Sequence, residues 1–426
     1  MQILTKPHNG PAGMIDAEVG GASSGKRPPL RLAYLASQYP AVSHTFIFNE
    51  IRELRKLGFE ISTASINACD RPVSQLPEIE RTEQAGTYYV KPSGSLKALQ
   101  AVIYSVVRNP FGTMRGLLFT IRLGRGVKRF FYFIEALMIG MWMREKGLEH
   151  LHVHFGTAAA SVGMIVAKTF PLTYSLTIHG PDEFYEVSNS YLPEKIATAR
   201  FVCCIGSYAR SQVMKVSLSN QWKKIEVVPL GVDPVKFAPY HRAATVPFEI
   251  LCIGRLAPAK GHHILLSAVR VLIEENRAVR LRILGDGPER QSLEQRIAEE
   301  GLTGHVILEG AVNQDRIPGF LKKTDVFALA SFAEGVPVSL MEAMASEIPC
   351  VSTLITGIPE LIRDEIDGLL VSPSDEEALA DALRRLMDEP ELRRRLGKAG
   401  RLRVMDRYNL ERNVSALAEV YHCHLQ

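Results

Sequence analysis

Two carboxylates and two cations in the second half of the chain have the types and spacing to hold a polar, anionic ligand. Glu334 and Glu342 bracket the turn Gly335-Val336-Pro337 in the run SFAEGVPVSLME, residues 331–342. The apolar residues before it read as a strand, and Pro337 suits the first position of a helix. The free amides of such a helix start favour a phosphate. Glu334 then lies in the loop and Glu342 in the early helical turns, so both can face one cleft. Carboxylates there suit hydroxyl-rich ligands, one sugar ring and one ribose. The second group is GRLAPAKG, residues 254–261, which also follows a strand and precedes a helix. Arg255 offers a planar fork and Lys260 a point charge, a pair apt for a pyrophosphate. Each charge-assisted bond to a buried phosphate contributes about 1.5–3 kcal/mol.

Other candidates are weaker. His179 stands at a strand end in TIHG, where a lone histidine is often a hydrogen-bonded turn residue. His150, His152 and His154 alternate, so on a strand they share one face. That pattern is open to a metal, but it reads better as His154 lining the cleft with the other two structural or exposed. Residues 421–424 (YHCH) lie at a terminus and carry less. Residues 20–26 match the start of a phosphate loop, yet Arg27 replaces the required Ser or Thr and Pro28-Pro29 blocks the helix. Gly285-Asp286-Gly287 reads as a turn, since Arg290 occupies the place of the third fingerprint glycine.

The elements that must position these groups alternate. Residues 30–35, 59–66, 150–156, 172–180, 201–207 and 225–233 read as strands separated by helical patterns. The rhythm restarts at 248–256 and 281–287, followed by VILEG, DVFALAS, PCVST and GLLV. Two successive βα series predict two doubly wound α/β domains with ligands at the carboxyl ends of the strands. The 426 residues exceed what one core supports. Expected boundaries are a tail over 1–29, a first domain over 30–228, a linker over 229–245, a second domain over 246–405, and a helix over 406–426 packing back on the first domain. The tail lacks a continuous apolar core and is not read as a signal peptide.

Composition narrows the class. A net charge of +4 does not argue for nucleic acid. The six scattered cysteines form no CxxC pair, so neither a zinc framework nor a disulfide scaffold is expected, and a reducing cytoplasm fits. Residues 91–134 hold eight basic and no acidic side chains among apolar residues at helical spacing. Two readings stay open: helices on a sheet with a solvated basic face, or a peripheral anchor on anionic lipid over 91–143. The run 130–143 is too short to span a bilayer.

EGVPVSLME resembles the E-x7-E motif of retaining GT-B glycosyltransferases of family 4, and GRLAPAKG resembles their G-R-L-x-x-x-K-G. ILGDGPE, PLGVD and GIPELIRDEIDGLLV are similar to further landmarks of that family, in the same order. The stretch QYPAVSHTFIFNEIREL, with HVHFG and TIHGPDEF, resembles the branch that builds bacterial exopolysaccharides of the colanic-acid type. The resemblance covers nearly everything from Leu30 onward. It implies two Rossmann-like domains facing across a cleft and transfer of a hexose, with retention, from a nucleotide diphosphate sugar to a glycan or polyprenyl-linked saccharide at the inner face of the cytoplasmic membrane. No cofactor or metal is implied. Arg255 and Lys260 would hold the diphosphate with Gly335, Val336 and Pro337 nearby, Glu342 the ribose, and Glu334 the transferred sugar, with His179 beside it. Ser43, His44, Thr45 and His154 would lie on the acceptor side. Two positions depart from the pattern: His44 replaces a glutamate, and Thr356 replaces the first glycine of a Gly-Gly pair. The competing possibilities are an epimerase or phosphorylase of similar build, and a non-catalytic assembly protein of GT-B form, which would predict a damaged donor site.

Overall fold

The computed structural model describes residues 29–124, 126–185, 187–240 and 246–426. The phosphate-loop-like stretch 20–26, nearly all of the expected tail, and 241–245 of the expected linker lie outside the described residues. Seven strands make the first sheet: β1 (Arg31–Gln38), β2 (Glu60–Asn67), β3 (Tyr88–Tyr89), β4 (His150–His154), β5 (Thr173–Ile178), β6 (Val202–Cys204) and β7 (Ile225–Val227). Six make the second: β8 (Phe248–Ile253), β9 (Val279–Leu284), β10 (Val306–Gly310), β11 (Val326–Leu329), β12 (Cys350–Thr353) and β13 (Leu369–Val371). The orders are β3-β2-β1-β4-β5-β6-β7 and β10-β9-β8-β11-β12-β13. Every pairing is parallel, as in β1 against β4 (Leu35↔Val153) and β8 against β11 (Leu251↔Phe327). Short apolar runs such as VFAL suit strands covered on both faces by crossover helices. The order in which strands are added reverses between β1 and β4, and again between β8 and β11. At such switch points neighbouring loops part and leave a crevice beyond the carboxyl ends.

The two crevices face each other. Gly335, after β11, packs so tightly on the first domain that a Cβ there would stand 1.9 Å from the His179 carbonyl oxygen. The Glu360 carboxylate accepts the backbone N–H groups of Ser207 (2.7 Å) and Tyr208 (2.6 Å), at the start of a first-domain helix. The last helix, Leu410–Leu425, returns to the first domain. Its Val414, Leu417 and Tyr421 are buried with Ile47, Ile51 and Leu54 of the helix Thr45–Lys56.

The basic segment forms three helices of unlike burial. Val127–Glu145 is core from Ala136 to Met143, so the apolar run 130–143 goes mostly inward rather than to a surface. The helices Gly94–Arg108 and Pro110–Arg122 are inside out. Their fully buried residues are small or polar (Ala101, Ser105; Gly112, Thr113, Gly116, Thr120), with Val102, Tyr104, Leu117 and Phe119 half-buried against the core. Leu99, Ile103, Val107, Phe111, Met114 and Leu118 face outward, Phe111 at 90% exposure. The small residues face inward because the helix Pro110–Arg122 lies against Thr169: a Cβ on Gly112 would meet its carbonyl at 2.2 Å, and one on Gly116 its hydroxyl at 2.0 Å.

Candidate active site

A cavity of about 510 Å³ lies between the crevices. From the first domain it is lined by Ser43, His44 and Thr45 after β1, Phe155 after β4, and His179 after β5. From the second domain come Arg255 and Lys260 after β8, and Glu334, Gly335, Val336, Pro337 and Glu342 after β11. Residues 300 positions apart in sequence meet because both sheets end their strands here.

The donor-side carboxylates are held differently. Glu334 Oε1 accepts from Lys260 Nζ (2.5 Å) and Ser331 Oγ (2.7 Å). Lys260 is placed by the turn ending at Gly261, whose φ of 59° and contact with the Ala330 carbonyl (a Cβ would stand 2.1 Å away) exclude larger residues. Arg255 is exposed and, among the described residues, has no ion-pair partner. Glu342 is buried in the helix Val338–Ala345, with its Oε1 accepting from Gln314 Nε2. Burial pushes its carboxyl up to about 7, against the pull of Gln314 and Lys236. Pro337 is the N-cap of that helix rather than its first residue.

The two departures from the family pattern are both built in. Thr356 adopts φ 41°, a conformation at ease for glycine and strained for a β-branched residue, and its hydroxyl donates to the Glu334 carbonyl. His44 packs on Phe155 (4.9 Å between ring centres) and burial lowers its pKa. Phe155 is itself held at φ 68° and lies 4.4 Å from the His179 ring.

The histidines on β4 are entirely buried. His150 bonds Thr173 and Ser175 (both 2.8 Å), and His152 bonds Ser175 (2.8 Å) and Thr177 (3.0 Å) of β5. Each ring nitrogen of that pair is thus occupied by a hydroxyl. His154 does not reach the cavity wall as expected. It lies one layer below, its Nδ1 3.0 Å from His179 Nε2, because β4 is buried on both faces along its whole length and the cavity begins only at Phe155, past the strand end. His152, His154 and Glu50 could together approach a cation among the described residues, but His152 would first have to give up a hydroxyl.

Three residues escaped the sequence reading. Glu183 in TIHGPDEF accepts the backbone N–H groups of Gly156, His179 (2.6 Å) and Gly180 (2.8 Å), tying the β4 and β5 loops together. Burial drives its carboxyl up to about 7, opposed by those N–H groups. Gln314 and Glu50 come from a loop and an amphipathic helix, where a polar residue reads as solvated. No local signal marks either one.

Residues 239–403 match the family described as glycosyl transferases group 1. The chain is 29% identical over 374 residues to the protein named as the colanic acid biosynthesis glycosyltransferase WcaL of Escherichia coli (strain K12), covering 83% of this chain and 90% of that one. It is 31% identical over 211 residues to the UDP-Gal:alpha-D-GlcNAc-diphosphoundecaprenol alpha-1,3-galactosyltransferase of Escherichia coli, covering 46% and 54%. The structure of Anabaena HepE in complex with UDP-glucose superposes with a TM-score of 0.69 at 16% identity, covering 92% of this chain and all of that one.

Proposed function

We propose that this GT-B glycosyltransferase of the exopolysaccharide type moves a hexose, with retention of configuration, from a nucleotide diphosphate sugar to a lipid-linked or growing glycan. The observation that carries the proposal is the meeting of Arg255 and Lys260 with Glu334 and Glu342 in one cavity. Arg255 and Lys260 neutralise the diphosphate as it leaves, the electrostatic demand of the reaction, so no metal is required. The N–H groups of Gly335 and Val336, and those of the first turn of the helix Val338–Ala345, add dipoles there. Glu342 accepts ribose hydroxyls, and Glu334 a hydroxyl of the transferred sugar. His179 stands beside that sugar, with Ser43, His44 and Thr45 on the acceptor side. The acceptor oxygen attacks the face that the phosphate leaves. The bond from the anomeric carbon to phosphate breaks, the new glycosidic bond forms, and the departing phosphate oxygen takes the acceptor proton. Support comes from HepE, crystallised with UDP-glucose, and from the galactosyltransferase, whose name specifies a diphosphoundecaprenol acceptor.

The inside-out helices fit peripheral attachment to the cytoplasmic face of an anionic membrane, where such acceptors lie. Their outward apolar residues are flanked by Lys97, Arg108, Arg115 and Arg122, and among the described residues no helix is long and apolar enough to cross a membrane. Calorimetric titration of UDP and GDP in the presence of EDTA, into wild type and Lys260→Ala, tests the donor site. One nucleotide should bind wild type, and the variant should bind it roughly 10- to 100-fold more weakly, the worth of one charge-assisted bond. Failure of both nucleotides to bind folded protein would remove the proposal's main support. Loss of turnover in a folded Glu334→Ala variant would exclude a non-catalytic assembly role.

A further inference from the structure

Beside the cavity stand two buried charged side chains that the sugar-transfer chemistry does not use. Glu183 is 5% exposed, and Lys195, on the helix Leu192–Thr198, is 1% exposed. Both are spent on the main chain of the turns after β4 and β5. The Glu183 carboxylate accepts from the N–H groups of Gly156, His179 (2.6 Å) and Gly180 (2.8 Å). The Lys195 ammonium donates to the carbonyls of Gly156 and Thr157, both at 2.8 Å. Gly156 is thus held on both sides, its N–H by the carboxylate and its carbonyl by the ammonium. The Tyr174 hydroxyl, on β5, donates to the Lys195 carbonyl and so fixes the helix that carries the ammonium group.

Burial penalises both groups. It raises the Glu183 carboxyl to about 7 against the pull of the N–H groups and of Lys195, and it lowers the Lys195 ammonium to about 7 against the pull of Glu183. Such a pair is a weak source of stability, since apolar side chains of like volume often serve as well. What it supplies is fixed geometry for main-chain groups that would otherwise be buried without partners. That geometry needs holding. Phe155 sits at φ 68°, where a bulky residue is strained and persists only when its surroundings over-determine it. Its ring centre lies 4.4 Å from that of His179 and 4.9 Å from that of His44, and Phe155, Thr157 and His179 all line the cavity. The second domain rests on the same turn: a Cβ on Gly180 would stand 3.6 Å from the nitrogen of Gly335, next to Glu334.

We propose that Glu183 and Lys195 are positioning residues that act as one unit, locking the turns after β4 and β5 into a rigid wall that sets Phe155 and His179 against the sugar held by Glu334. That the wall meets a sugar rests on the function proposed above; the locking does not. Displacing the wall by about 1 Å costs turnover on the order of 100-fold. The residues proposed to hold the nucleotide lie in the second domain and are left in place.

His179-Gly180 is the only His-Gly step in the sequence. Protein labelled with carbon-13 in its histidine carbonyls and nitrogen-15 in its glycines therefore gives one carbonyl-correlated amide signal in NMR, that of Gly180, and reads the unit without turnover. A bond to a buried carboxylate should place this proton downfield of ordinary glycine amides. Glu183→Gln should move it upfield. Lys195 bonds neither His179 nor Gly180, yet Lys195→Met should move the signal as well, because it releases the turn that Glu183 shares. Tyr174→Phe should do so by less, and serves if Lys195→Met does not fold. With UDP-glucose and GDP-mannose as donor probes, Lys195→Met should lower turnover about 10- to 100-fold with the donor KM within about twofold of wild type. A Gly180 signal at the ordinary position in wild type, or one indifferent to Lys195→Met and Tyr174→Phe, would overturn the locking. Unchanged turnover, or a loss seen only in donor KM, would overturn its part in transfer. The predicted signals in a protein that binds neither UDP nor GDP would leave the locking standing and sink the transferase function instead.

Discussion

Glu342 shows how a binding residue can work against stability. Its folded-state pKa, raised to about 7 by burial, exceeds that of an ordinary carboxyl. Between the ordinary range and about 7 the folded protein therefore binds more protons than the unfolded chain. Stability falls as pH rises through that window. Glu342→Gln should flatten this part of the pH–stability curve in chemical denaturation while weakening nucleotide binding. Binding by wild type should tighten as pH rises past 7, because the ionised carboxylate is the better acceptor for ribose hydroxyls. The pair Glu334–Lys260 behaves otherwise: both partners are already satisfied by each other, so an incoming phosphate competes with Glu334 for the ammonium group. At this scale the sequence was informative. Each of the four donor-side residues stood in a run whose glycines and prolines announced a strand–turn–helix, and each lines the cavity. Glu50 and Glu183 were not legible, because a carboxylate on an amphipathic helix or in a polar loop looks solvated until its neighbours are known.

Elements carry two further tests. The turn at Thr356 holds a β-branched residue at φ 41°, a strain of about 1–3 kcal/mol offset by its bond to the Glu334 carbonyl. Thr356→Gly should leave the unfolding free energy within about 1 kcal/mol, since relief of strain opposes loss of the hydrogen bond and gain of chain entropy. It should nevertheless raise the donor KM, by loosening the loop that carries Glu334. The inside-out helices make a second case. Leu99 and Ile103 are 56% and 55% exposed, so the double change to glutamate should barely alter the melting temperature. The same change should abolish pelleting with anionic vesicles at low salt, by removing apolar contact and adding like charge. Persistent pelleting would show that the apolar face is not what touches lipid. The sequence displayed the basic, apolar character of residues 91–134 but could not tell inner from outer face. Both faces are helical in period, and Thr169, sixty residues away from Asn109, which donates to its carbonyl, decides which side can approach.

At the scale of the whole molecule, the two domains are joined by contacts as well as by chain. Glu360 in the second domain accepts two N–H groups at a helix start in the first, where a carboxylate is favoured by the helix dipole. Gly206 makes room for it, since a Cβ there would stand 2.9 Å from the carboxylate. Glu360→Ala should let the domains part, seen as a larger radius of gyration in solution scattering, with nucleotide affinity unchanged because the donor residues lie within one domain. An unchanged radius would mean that other contacts, such as Arg71 with Asn313, hold the cleft closed.

The sequence by itself determined the two α/β series, their parallel sheets and the strand–turn–helix units that carry Arg255, Lys260, Glu334 and Glu342. Those properties follow from local periodicity and turn chemistry, which act over a few residues. Only the tertiary structure decided that His154 is an inner support rather than a cavity wall, that residues 136–143 are core, and that Tyr421 stands behind Tyr34. Each depends on which face of an element meets which neighbour across hundreds of residues. That choice is made by packing and by the need to satisfy buried polar groups, not by the pattern along the chain.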